Sequence, residues 1–94
     1  MTGTVCRAPE RRVSPAGIPL SRFLLEHQSV QQEAGLDRQI NFRILVVASG
    51  DPLDTVVKTL KAGDHVEIKG FLNRTAFKSG EYKLVIHATS VKNA

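Results

Sequence analysis

The sequence predicts an all-β fold of five short strands, with one short helix between the third and fourth. Three observations carry this expectation. Runs rich in Val, Ile, Leu and Phe alternate with polar residues at the two-residue period of a strand. Gly, Pro and Asp punctuate those runs. One segment, beginning at Asp51, breaks the pattern with apolar residues at helical spacing. Two architectures accommodate that order of elements: a closed five-stranded barrel, which leaves no strand edge open, and a small open α+β sandwich. With 94 residues the chain makes one domain, spanning 1–94, whose modest core gains readily from pairing with a second copy.

The first strand starts near Gly3-Thr4-Val5 and leads into a basic stretch holding Arg7, Arg11 and Arg12. Ser14-Pro15-Ala16-Gly17 then has the chemistry of a type I turn: Ser first, Pro with its φ preset second, Gly fourth. In the second strand, Ile18 to His27, Ser21, Phe23 and Leu25 share one face, and Arg22 and Glu26 the other. Ser29 to Arg38 is polar with a turn signal at Ala34-Gly35, so it forms either a protruding hairpin or a mobile loop. The third strand, Gln39 to Ser49, places Ile40, Phe42, Ile44 and Val46 at every second position. Leu45 and Val47 on its opposite face indicate that its second half is covered on both sides.

Asp51 is suited to cap the helix, and Pro52 to its first position, where a missing N–H costs nothing. Leu53, Val56, Val57 and Leu60 form one apolar stripe. Asp54 at the start and Lys58 and Lys61 near the end complement the helix dipole, and Gly63 supplies a left-handed stop. A helix of about ten residues needs a core to pack on. His65 to Arg74 and Tyr82 to Val91 alternate as the fourth and fifth strands, joined by a loop around Lys78-Ser79-Gly80-Glu81.

Catalytic chemistry is not indicated. His27, His65 and His87 fall on three different strands without metal-ligand spacing, and a single cysteine cannot complete a zinc site. There is no P-loop, dinucleotide fingerprint or nucleophile elbow, and the nine carboxylates are scattered. The expectation is a non-enzyme with no cofactor and no metal. Cys6 reads as a small core hydrophobe. One cysteine cannot form an internal disulfide, which fits a reducing compartment such as the cytoplasm. No apolar run approaches the ~18 residues of a membrane span, and no secretory leader is visible at the N-terminus.

Binding chemistry is indicated. A net charge of +4 favours polyanionic partners. Cations come from three places: Arg7, Arg11 and Arg12 before the first turn; Arg43 on the third strand, with Asn41 on its face and Arg38 at its entry; and Arg74, Lys78 and Lys83 around the last loop. Phe77 sits among small and polar loop residues, where it either folds back on the barrel or stacks on a base. Phe71 suits sheet packing or an oligomer contact, Phe23 and Phe42 the core, and Tyr82 either stacking or packing on the loop. With four Phe, one Tyr and no Trp, affinity for a nucleic acid rests more on charge than on stacking.

The segment Gly3-Thr4-Val5-Cys6-Arg7-Ala8-Pro9, the Arg11-Arg12-Val13-Ser14-Pro15-Ala16-Gly17-Ile18-Pro19 turn, and the arm Phe23-Leu24-Leu25-Glu26-His27-Gln28-Ser29-Val30-Gln31-Gln32-Glu33-Ala34-Gly35 closely resemble the PriB family of bacterial primosomal replication proteins. The resemblance covers most of the chain. It implies an oligonucleotide-binding (OB) barrel related to single-stranded-DNA-binding proteins, assembled as a homodimer. It also implies a role in replication restart, bridging single-stranded DNA, a PriA-like primosomal helicase and a DnaT-like helicase-loading protein. Carried over, Lys78 and Lys83 match lysines of the family's basic loop, and Arg12 and Ser14 its early basic turn.

Two positions depart from the family pattern. Asn41 stands where well-known members carry Trp, and Ala76 where they carry Lys, with Arg74 two residues earlier. The family also usually has several more residues before Gly3, completing the first strand. The expected DNA-binding set is Arg12, Ser14, Arg38, Asn41, Arg43, Arg74, Phe77, Lys78 and Lys83. The alternatives are a protein-interaction OB module with weak or no DNA binding, which Asn41 and Ala76 favour, and an RNA-binding OB domain.

Overall fold

The computed structural model describes residues 1–76 and 82–94. In it the alternating runs become strands β1 (Thr2–Val5), β2 (Glu10–Val13), β3 (Pro19–Glu33), β4 (Leu36–Ser49), β5 (His65–Ala76) and β6 (Tyr82–Asn93), with helix α1 (Asp51–Val57) before β5. Five of them close a ring. β1 pairs antiparallel with β3 and with β5, β5 with β6, β6 in parallel with β4, and β4 with β3. The five-stranded barrel is therefore the fold, and α1 lies between its third and fourth strands as the sequence predicts.

The additional strand, β2, forms from Glu10 to Val13, where the sequence suggests only a basic stretch leading into the turn. β2 pairs with Pro19–Arg22 of β3, and β1 takes up the same edge at Leu25 and Glu26. Between them Cys6 still donates its N–H to the Leu24 carbonyl at 3.0 Å. Pro9, without an N–H, cannot continue such a ladder, and pairing resumes only at Glu10. The β2–β3 turn is as its residues dictate. Gly17 N–H donates to the Ser14 carbonyl at 2.8 Å, and Gly17 takes φ 82°.

Ser29 to Arg38 is a protruding hairpin. β3 and β4 stay in register from Leu20↔Ser49 to Glu33↔Leu36, and the two residues between, Ala34 and Gly35, have φ 52° and 78°. Two positive φ values in a two-residue loop are the type I′ geometry that matches strand twist. The arm contributes to principal extents of 51 × 34 × 20 Å.

The helix differs from expectation at both ends. Gly50, not Asp51, is the N-cap: its φ of 97° bends the chain out of β4, and its carbonyl accepts the Asp54 N–H at 3.0 Å. Asp51 is thereby the first helical residue, with no capping hydrogen bond from a side chain. After Val57 the chain tightens into i→i+3 bonds, Thr59 to Val56 and Leu60 to Val57, so α1 has seven residues and Lys58 and Lys61 fall beyond it. Leu60 is buried all the same, beside Val57, Phe23, Leu25, Val46 and Val66 in the core.

Two expected core residues lie elsewhere. Phe42 is 38% exposed, because β4 at that point has run past the barrel wall into the arm. Cys6 is half-buried, in the link between β1 and β2.

Candidate nucleic-acid interface

Residues paired across a ladder share a face, and every second residue of a strand returns to it. Phe23, Leu25, Ile44, Val46 and Ile86 face inward. The outer face is then set by Arg12↔Leu20, Arg22↔Val47, Leu24↔Leu45, Glu26↔Arg43, Gln28↔Asn41 and Leu45↔Val85. Lys83 and His87 return to that face two residues either side of Val85. Of the sequence-derived set, Arg12, Asn41, Arg43 and Lys83 thus share one surface.

That surface is concave in its middle. β4 and β6 pair only from Leu45↔Val85 onward. Where they part, a cleft of about 860 Å³ opens between the strands, with Arg43, Lys83, Leu24 and Leu45 on its outward side and Phe42, Ile44, Leu72 and Leu84 of the inward parity behind them. A second depression of about 260 Å³, lined by Arg12, Arg22, Leu20 and Val47, shares Leu45 and Val85 with the first. Cations from β2, β4 and β6 therefore border one trough with an aliphatic floor. Such a trough can hold phosphates at its rim and apolar base faces against the half-buried Leu24 and Leu45.

Local pairing modulates the charges. Arg43 meets Glu26 at 3.1 Å and Arg22 meets Glu10 at 3.0 Å, all four on the outer face. Arg12 has no ion pair among the described residues. Its neighbour Arg11 points to the other side and grips Asp54 of α1 with two nitrogens, at 2.9 and 2.7 Å. The basic stretch is thus divided: one arginine fastens β2 to the helix, the next borders the trough.

The remaining expected residues lie apart from this set. Arg38 shares its side of β4 with Ile40 and Phe42, opposite Asn41 and Arg43, and sits 3.8 Å from Glu33 on the arm. Arg74 pairs with Leu84, also on the opposite parity from Lys83. The Ser14 hydroxyl accepts the Ile18 N–H at 3.1 Å, which ties it to the turn. Phe77 and Lys78 lie outside the described residues. Among the described residues no cluster of His, Cys, Asp or Glu could hold a metal ion, and no helix is long and apolar enough to cross a membrane.

Two features of this face are not in the expected binding set. Arg22 is on it, by the same alternation that separates it from Phe23. Phe71 and His87, directly paired across β5 and β6, stack with ring centroids 5.1 Å apart and planes 12° apart. The pairing that juxtaposes them follows a register shift between Lys69 and Gly70, which no periodicity announces.

Known proteins share this architecture. A family model described as another single-strand binding protein family matches residues 1–90. The replication restart protein PriB of Proteus mirabilis is 45% identical over 92 residues, covering 98% of this chain and 88% of that protein. The solved structure of the protein PriB from Ralstonia solanacearum superposes with a TM-score of 0.80 at 27% identity, covering 99% of this chain and 92% of that one. The single-stranded DNA binding protein from Thermus aquaticus reaches the same TM-score of 0.80 at 18% identity, over 99% of this chain and 47% of its own, a likeness of fold.

Proposed function

We propose, for a chain that belongs to the PriB family of replication restart proteins, that its outer trough binds single-stranded DNA with little sequence preference. The observation that carries this reading is the convergence of Arg12, Arg43 and Lys83, from three strands, around one aliphatic-floored trough. Charge at the rim tracks the phosphate backbone, while the half-buried Leu24 and Leu45 accept base faces without reading them. The protein acts without catalysis, in the cytoplasm, as a homodimer. It connects the DNA to a primosomal helicase of the PriA kind and to a helicase-loading protein of the DnaT kind. Hand-off follows when DNA and a protein partner compete for one basic face.

The test is oligo(dT) binding across a salt series. If Lys83 neutralises a phosphate, Lys83→Ala flattens the slope of log K against log salt by roughly 0.7 for a single strand. Lys78→Ala is measured beside it, and an unchanged slope in both removes these lysines from the phosphate track. A second reading, a protein-interaction module with weak DNA binding, is favoured by the Arg43–Glu26 and Arg22–Glu10 pairs, which compensate two of the trough's cations. Helicase binding without oligonucleotide binding at low salt decides for it. Equal-sequence RNA, bound more tightly than DNA, decides for an RNA-binding role through the 2′-OH.

A further inference from the structure

We propose that Phe71 and His87 form a base-stacking platform at the end of the outer trough, a contact that rests on the single-strand reading above. Stacking in such proteins needs an exposed planar face close to the phosphate track. Two ring pairs occur among the described residues. His27 and Phe42 are tilted by 38° and stand on the inward parity of β3 and β4. Phe71 and His87 lie within 12° of parallel and stand on the outward parity, with the cations.

Exposure supports the assignment. Phe71 is 58% exposed, although it sits mid-strand between paired residues. A large aromatic ring thus faces water, nearly parallel to a second ring.

Position supports it as well. His87 follows Lys83 by four residues on β6, about 13 Å along the strand, with Val85 between them on the same face. Val47, paired with His87 across β4, continues the aliphatic floor up to the rings. A strand whose phosphates pass Arg43 and Lys83 can lay its next bases past the half-buried Val47 and onto Phe71. A plain cross-strand pair would stabilise the β5–β6 ladder and do nothing to DNA.

Phe71→Leu separates the two roles, because it keeps apolar bulk and removes the π-face. Oligo(dT) affinity is expected to fall roughly 5- to 150-fold, the worth of one stacked base. The salt slope stays unchanged, since no phosphate contact is lost. Phe71→Trp gives a second readout: the chain has no Trp, so its emission reports this site alone and is quenched when oligo(dT) saturates the protein. The platform is overturned if Phe71→Leu binds as tightly as the unaltered chain, or if the Trp emission ignores oligo(dT). It is also overturned if affinity falls while light scattering shows the mass halved, since the ring then joins two copies. An unaltered chain that fails to bind oligo(dT) at low salt sinks the single-strand reading together with the platform. Binding that is indifferent to Phe71 sinks the platform alone.

Discussion

Within the single strand β3, residues Ser21 to Leu25 bury every second side chain, whereas Val30 to Glu33 leave all of theirs exposed. Its partner β4 behaves the same way, exposed from Leu36 to Gln39 and alternately buried from Ile44 to Ala48. Register and hydrogen bonding are continuous across both halves. The difference is what covers them. The barrel half packs against β1 and the core side chains of α1 and β6, while the arm half has only its own ladder and turn. Stability and binding geometry therefore reside in one half, and reach into solvent in the other.

The largest effect should come from the barrel half. Leu25 is fully buried, and Leu25→Ala is expected to cost about 2–5 kcal/mol, seen as a lower urea midpoint. Val30, 62% exposed on the arm, should change stability by no more than about 0.5 kcal/mol as Val30→Ala. Equal losses from the two would mean that the arm packs on something. The turn offers the opposite sign. Ala34 holds φ 52°, a conformation that costs a non-glycine residue roughly 1–2 kcal/mol. Ala34→Asn, the residue preferred before Gly in type I′ turns, should recover part of that and slow amide exchange near the arm's tip.

The split between Arg11 and Arg12 sharpens the comparison at the barrel's other end. Asp54 is 17% exposed and Arg11 47%, so their two-nitrogen contact is only partly screened. Arg11→Ala is expected to lose up to about 1 kcal/mol of stability and leave oligonucleotide affinity nearly unchanged. Arg12→Ala should do the reverse, weakening oligo(dT) binding without moving the thermal midpoint. If the two behaved alike, the facing of β2 would have to be reconsidered.

What could be read from residues alone follows the same division. Period-two alternation places Phe23, Leu25, Ile44 and Val46 inside, and separates Arg43 from Phe42, because pleat geometry is local. The same counting puts Arg38 on the side of Phe42 rather than with Asn41, so that part of the site was present in the numbering. Periodicity does not say where a barrel wall ends. Phe42 alternates correctly and is still 38% exposed, since β4 and β6 diverge before Leu45. Nor does it locate a bulge, and the Phe71–His87 contact depends on one. The helix cap moved to Gly50 because a positive φ at the strand exit outweighed the side-chain chemistry of Asp51.

The smallest expected effect concerns charge on the barrel half. Arg43 and Glu26 are opposite neighbours in the β3–β4 ladder, 3.1 Å apart, with side-chain exposures of 63% and 29%. A phosphate that binds Arg43 must displace that carboxylate or tolerate its repulsion. Glu26→Gln keeps the shape and removes the charge, so oligo(dT) affinity should rise, by up to about fivefold, since pairs this exposed are worth at most about 1 kcal/mol. The salt slope should steepen at the same time, by roughly 0.7 if Arg43 then neutralises one further phosphate. No change in either quantity would place the DNA track along Arg12 and Lys83, with Arg43 spent on holding β3 to β4.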